Sequence, residues 1–239
     1  MALPIQNAPV YTIKLPSNDQ EFKFRPFLVK EQKALFLAQQ SEDSSVMVET
    51  LKQIISSCAK TEFDINELAV FDLEYIFAQI RSRSVGEIAE LFFYCDVCDD
   101  DKAKVLIKLD VAALEVQKDP KHTKKIELFD DVGVMMKYPS LEMLKHIESL
   151  GNIEKELDVV FDIIISSIDY IYDSDEIHYA KEQSREDLVT FLENLSSDCF
   201  EKLQVFFETM PKLVKEVEYD CPVCGRHHKK ILKGLENFF

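Results

Sequence analysis

The chain has 239 residues, 46% of them hydrophobic, and a formal net charge of −16. That length is enough for one large or two small domains, each with a real core. The charge disfavours a general nucleic-acid role and fixed attachment to an anionic membrane, because it repels phosphate.

Five glycines and no tryptophan argue against a glycine-loop nucleotide binder. The chain has no P-loop, dinucleotide fingerprint, H-E-x-x-H helix or nucleophile elbow, so no enzyme activity is expected. No apolar run approaches the roughly eighteen residues of a transmembrane helix. The start, Met1-Ala2-Leu3-Pro4, does not read as a secretory leader. A reducing cytoplasm is the expected compartment.

Residues 10–25 predict a β-hairpin. Tyr11, Ile13 and Leu15 alternate with polar residues, Pro16-Ser17-Asn18-Asp19 turns, and Phe22 and Phe24 alternate with Lys23 and Arg25. After Pro26 a helix is predicted over 29–40, with Lys30-Glu31-Gln32-Lys33 solvated and Ala34, Leu35 and Ala38 inward. A second helix over 45–59 aligns Met47, Leu51, Ile54, Ile55 and Cys58 on one face. Cys58 is therefore a core thiol by default. Asp72 reads as the N-cap of a third helix over 73–82.

The chemistry-bearing motif follows. Leu91-Phe92-Phe93-Tyr94 leads into Cys95-Asp96-Val97-Cys98, and Val105-Leu106-Ile107-Lys108-Leu109 follows it. The same layout recurs near the end, where Val217-Glu218-Tyr219-Asp220 precedes Cys221-Pro222-Val223-Cys224 and Ile231-Leu232-Lys233 follows. Each is a β-rich arm, a C-x-x-C turn and a second β-rich arm. Two such turns supply four thiolates, a standard set for structural zinc. Cys95, Cys98, Cys221 and Cys224 are thus the candidate ligands of one Zn²⁺. Redox C-x-x-C motifs would want a βαβ setting, and disulfides a secreted protein. Asp99 stands where Gly225 follows the second pair. His227 and His228 are candidate substitute ligands, but with four cysteines available they read as solvated loop residues. Loop-closure entropy grows slowly with length, so a metal tying mid-chain to chain end is reasonable.

Strands are predicted over 125–128 and 132–137 around an Asp130-Asp131 turn. The second half reads as helical. A short helix spans 141–150, and a long apolar stripe runs through Leu157, Val160, Phe161, Ile164, Ile168, Ile171 and Tyr172. Residues 173–183 read as an acidic loop. Ser184 with Asp187 opens the next helix. A last helix carries Phe200, Leu203, Phe206, Phe207 and Met210. Phe206 and Phe207 exceed what one narrow face needs. With the terminal Phe238 and Phe239 they are the candidate partner contacts.

The expected fold class is α+β, a mixed helical domain with β-hairpins and a split four-cysteine zinc ribbon joining mid-chain to the C-terminus. Four regions are expected. Residues 1–86 form an N-terminal hairpin plus helices, and 87–139 the first zinc knuckle and a β region. Residues 140–211 form a helical region, and 212–239 the second knuckle, packing on 87–139.

Several stretches in order carry a family resemblance. They are Ile13-Lys14-Leu15-Pro16-Ser17, then Phe22 through Lys33, then Ile80-Arg81-Ser82-Arg83-Ser84-Val85-Gly86-Glu87 running into Cys95. Val134-Met135-Met136-Lys137-Tyr138-Pro139 follows, and the tail from Tyr219 through Gly225 to Phe239 completes the set. Together they resemble the T4-type bacteriophage baseplate protein family. The resemblance implies a role in building the baseplate hub of a contractile tail, as an assembly factor or chaperone acting by protein–protein binding. The implied partners are other baseplate hub or tape-measure proteins, and the implied location is the host cytoplasm and the virion tail. A permanent structural subunit of the hub is the alternative. A zinc-ribbon nucleic-acid adaptor is weaker, because the basic run Arg226–Lys230 is short.

Overall fold

The computed structural model describes residues 7–41, 44–98, 101–140, 143 and 156–234. Among the described residues lie six α-helices and eleven strands. In chain order these are β1 (Tyr11–Lys14), β2 (Glu21–Phe24), α1 (Val29–Gln39), α2 (Ser44–Cys58), α3 (Val70–Ser84), β3 (Ile88–Tyr94), β4 (Lys104–Asp110), β5 (Val116–Gln117), β6 (Lys125–Phe129) and β7 (Val132–Met136). Then follow α4 (Glu156–Ser167), β8 (Ile168–Tyr172), β9 (Ile177–Tyr179), α5 (Arg185–Glu193), α6 (Ser197–Thr209), β10 (Lys212–Asp220) and β11 (His227–Lys233). Every strand pairing is antiparallel. The fold is α+β, as expected. The chain forms two compact units. One comprises residues 1–65, 71–117 and 212–239, and the other 66–70 and 118–211.

In the first unit the β1–β2 hairpin pairs Tyr11 with Phe24 and Lys14 with Glu21. Its alternation buries Phe22 and Phe24. Cys58 closes α2 with no exposed surface, and burial pushes its thiol up to about 11. Two local expectations need correction. Glu31 is not solvated. It is buried, taking a 2.9 Å bond from Arg25 and a 2.8 Å bond from the Leu28 N–H. Burial pushes its carboxyl up, but those bonds outweigh it and hold the group below its ordinary value. Asp72 is not an N-cap. The helix starts earlier, at Val70, and the buried Asp72 accepts the Ser17 N–H at 3.1 Å. A carboxylate in a first helical turn also suits the helix dipole.

The rest of that unit is the ribbon. The β3–β4 hairpin runs in register from Ile88↔Asp110 to Tyr94↔Lys104. The β10–β11 hairpin runs from Val214↔Lys233 to Asp220↔His227, and β5 pairs with the start of β10. Ala78 of α3 packs with Ala89, Leu91, Leu109, Val217 and Leu232 in one apolar cluster.

The second unit is a four-stranded sheet of order β6-β7-β8-β9. Its inward residues Ile126, Leu128, Val134, Met136, Ile168 and Ile171 join side chains of α4, α5 and α6 in one cluster. Ser184 and Ser196 cap α5 and α6 through their hydroxyls. The long stripe was expected to stay helical. It breaks at Ser167, and Ile168-Asp169-Tyr170-Ile171-Tyr172 instead lies between β7 and β9. Isoleucine and tyrosine favour strands, and pairing on both edges overrides a helical period. The acidic loop 173–183 likewise contains β9, which pairs Ile177 with Tyr172. The helix expected over 141–150 lies outside the described residues, apart from Met143.

Candidate metal centre

Both C-x-x-C pairs sit at hairpin tips. Cys95 directly follows β3, and Cys221 directly follows β10. The second turn is closed by two 2.9 Å bonds, Cys221 N–H to Arg226 O and Gly225 N–H to Cys221 O. Gly225 takes φ +67, which a residue without Cβ adopts at no steric cost. Asp99, in the matching place of the first turn, lies outside the described residues.

The two tips meet. The four sulfurs of Cys95, Cys98, Cys221 and Cys224 all lie within 4.8 Å of one another. Cys95 Sγ is 3.8 Å from Cys224 Sγ, and Cys221 Sγ is 3.9 Å from Cys98 Sγ. Zinc–sulfur bonds of about 2.3 Å at tetrahedral angles put sulfurs about 3.8 Å apart. A disulfide needs about 2.05 Å. The donor set therefore fits a tetrahedral thiolate metal site. Cys95 and Cys221 are buried against the fully enclosed Ala103, Cys98 is half-buried, and Cys224 is exposed.

The electrostatics favour thiolates at Cys95 and Cys221. Backbone N–H groups of Val97 and Cys98 reach the Cys95 sulfur and draw its pKa down. Those of Cys224 and Val223 do the same for Cys221 and bring it to about 7. Cys98 goes the other way, to about 12, chiefly because the Cys224 thiol shares its hydrogen bond and because it is desolvated. Four sulfurs this close resist carrying four negative charges without a cation among them.

His228 was expected to be a solvated loop residue, and that is corrected. It lies in β11, is 8% exposed, and stacks on Tyr219 at 5.0 Å between ring centroids. Tyr219 in turn stacks on Phe93 at 5.4 Å. The His228 Nδ1 is 3.5 Å from Asp96 Oδ1, and a ring nitrogen, the Asp96 carboxylate and the Cys95 sulfur lie within 4.8 Å of one another. The legible signal was register, because His228 faces the buried Tyr219 across the hairpin. His227 is the exposed one, with Nδ1 2.8 Å from Asp220. Lys229 pairs with Glu216 and Glu218. Carboxylates thus already occupy part of the short basic run.

The candidate partner contacts fare differently from one another. Phe206 is 2% exposed and its ring lies against His122, Tyr138 and Phe207, at 5.0, 5.9 and 5.1 Å. It is a core side chain. The helical face that carries it closes the sheet, so no part of the ring is left for a partner. Phe207 packs on the same cluster, partly buried. Phe238 and Phe239 lie outside the described residues. No described helix is long and apolar enough to cross a membrane.

The family described as T4 bacteriophage base plate protein matches residues 8–239 of this chain. No curated protein and no solved structure matches it significantly.

Proposed function

The chain belongs to the T4 bacteriophage base plate protein family, and from that membership we propose that it assists assembly of the baseplate hub during tail morphogenesis. It acts by binding other hub or tape-measure proteins in the host cytoplasm, not by chemistry on a substrate. The observation that carries this reading is the extent of the family match, which takes in both units and both C-x-x-C turns.

Within that role Cys95, Cys98, Cys221 and Cys224 hold one structural Zn²⁺. Four thiolates close the coordination sphere, so the ion supplies folding free energy and leaves no open position for a reactant. The clasp closes the loop between Cys98 and Cys221, and all of residues 118–211 lie inside that loop. Charge supports a protein partner over nucleic acid. The net charge is −16, Lys229 already pairs with Glu216 and Glu218, and the His227 ring already faces Asp220.

Two experiments test the proposal. Co-expression with each tail protein of the same phage, followed by pull-down, should recover a hub or tape-measure protein. Recovery of none, together with tight duplex DNA binding at physiological salt, overturns it. Mass spectrometry of purified particles should find the chain absent or far below tail-subunit copy number. Its presence at that copy number makes it a permanent hub subunit instead.

A further inference from the structure

Helix α1 buries Glu31, Leu35 and Ala38 but leaves Val29 80% and Phe36 59% exposed. These two stand seven residues apart, on one stripe of the helix. They form one wall of a groove of about 440 Å³, with Lys33 between them. The other wall is Arg81 and Val85, at the C-terminal end of α3, and the buried Phe27 also lines the groove.

Exposed apolar residues alone mean little on a soluble protein. The charge of this groove is more telling. In a chain with 44 acidic and 28 basic residues, its lining among the described residues includes Lys33 and Arg81 and no carboxylate. The nearby arginines of the same unit are neutralised: Arg25 pairs with Glu31 at 2.9 Å, and Arg83 with Glu87 at 2.7 Å. Arg81 is not. It is partly buried, burial disfavours its charged form, and its guanidinium donates to the Gly86 carbonyl at 3.2 Å. A guanidinium has five N–H donors in a planar fork that matches a carboxylate. Partly desolvated and without such a partner among the described residues, it favours one brought from outside.

We propose that this groove docks an acidic amphipathic segment of a partner protein. Its apolar side chains cover Val29, Phe36 and Val85, and a carboxylate sits on the Arg81 fork with Lys33 beside it. The inference rests on the reading that this chain works by binding other proteins, and it names where and with what chemistry.

The probes are two synthetic helical peptides of about 14 residues, roughly four turns. Both carry the same Leu and Phe stripe. One is flanked by Glu, and its twin by Lys. Fluorescence anisotropy with the full chain should show saturable binding of the Glu peptide and at least about tenfold weaker binding of the Lys twin. Arg81→Gln should bring the two affinities to within about twofold of each other, a change of at least about 0.9 kcal/mol in the preference. Phe36→Asp, at an exposed position, should weaken the Glu peptide without lowering the melting temperature.

Equal affinity of the wild type for both peptides overturns the proposal, as does an unchanged preference in Arg81→Gln. No saturation at roughly millimolar Glu peptide also overturns it. A wild-type dimer that Phe36→Asp converts to monomer makes the occupant a second copy, and overturns it too. If Phe36→Asp and Arg81→Gln still capture a tail protein as well as the wild type does, the groove is wrong and the assembly reading stands. If no tail protein is captured and duplex DNA binds tightly, but the peptide preference holds and is lost in Arg81→Gln, the assembly reading fails and the groove stands.

Discussion

The unit formed by residues 1–65, 71–117 and 212–239 is built from three separate pieces of chain, and four thiols meet at the tips of its two hairpins. The unit formed by 66–70 and 118–211 is nearly continuous and holds twelve buried side chains in one apolar cluster. The ribbon's clusters are smaller, with nine buried residues on the hairpins, on α3 and just after β4, and a second cluster of Cys95, Cys221 and Ala103. A two-stranded hairpin is marginal in water, because it buries too little apolar surface to offset its chain entropy. The ribbon therefore leans on its donor set, while the sheet-and-helix unit stands on packing. The remainder of that unit is well packed, with Phe22, Phe24, Ile54, Ile55, Ile76, Phe77 and Ile80 fully buried, so the contrast lies in the ribbon alone.

The sharpest way to break this comparison is to deny the four sulfurs the zinc proposed for them. Structural zinc contributes on the order of 10 kcal/mol or more at neutral pH. Protein purified without chelator should carry one zinc per chain. Chelation, or Cys221→Ser, should abolish hydrogen-exchange protection in β3, β4, β10 and β11 and leave β6, β7 and β8 protected. Zinc below about a tenth of an equivalent in a folded, active preparation removes the clasp from the account.

The converse perturbation acts on packing. Phe206→Ala should cost about 3–5 kcal/mol, the usual range for truncating a buried aromatic. It should do so with zinc content unchanged. Zinc loss in that variant would show that the two units are not independent in stability.

A third test uses pH. Burial pushes Glu74, on α3, from 4.5 up to about 7. The folded state then binds this proton more tightly than the unfolded state does. Stability from Glu74 is fully present below the unfolded value of about 4.5 and is lost as pH rises through about 7. Glu74→Gln should flatten that slope and raise stability at pH 8 by up to about 3 kcal/mol, since a tenfold change in proton affinity is worth about 1.4 kcal/mol. Urea titrations of both proteins at pH 5 and pH 8 check the sign. A larger gain at pH 5 than at pH 8 contradicts it.

The smallest effect is expected at Cys58. Its Sγ lies 3.7 Å from Arg25 Nη1 and far along the chain from the clasp. Cys58→Ser should lower stability by about 1–3 kcal/mol, as burying a poorly satisfied hydroxyl does. Metal content should not change. Zinc loss with the fold intact would mean that the ligand set includes it.

Much of this was legible in the residues alone. The C-x-x-C spacing, the β-rich arms around it and the alternation in residues 10–25 depend on neighbours in sequence, and each appears where expected. The serine cap at Ser184 is equally local. The segment Ile168–Tyr172 was not legible, because its side chains satisfy a helical stripe and a strand equally well. Only pairing with β7 and β9 decides between them. Phe206 could not be sorted from a surface aromatic by helical spacing, because the width of the buried face depends on the sheet beneath it.

The sequence by itself determined the chemistry available: four thiols in two tight turns, an acidic surface, and hairpins whose alternation declares an inner face. Tertiary structure decided what those groups meet. It brought Cys95 to 3.8 Å from Cys224, turned His228 inward against Tyr219, buried Glu31 on Arg25, and set Arg81 in an apolar groove whose described lining holds no carboxylate. The physical reason is range. Turn geometry and periodicity act over a few residues, whereas burial and ion pairing depend on contacts between segments that the chain itself keeps far apart.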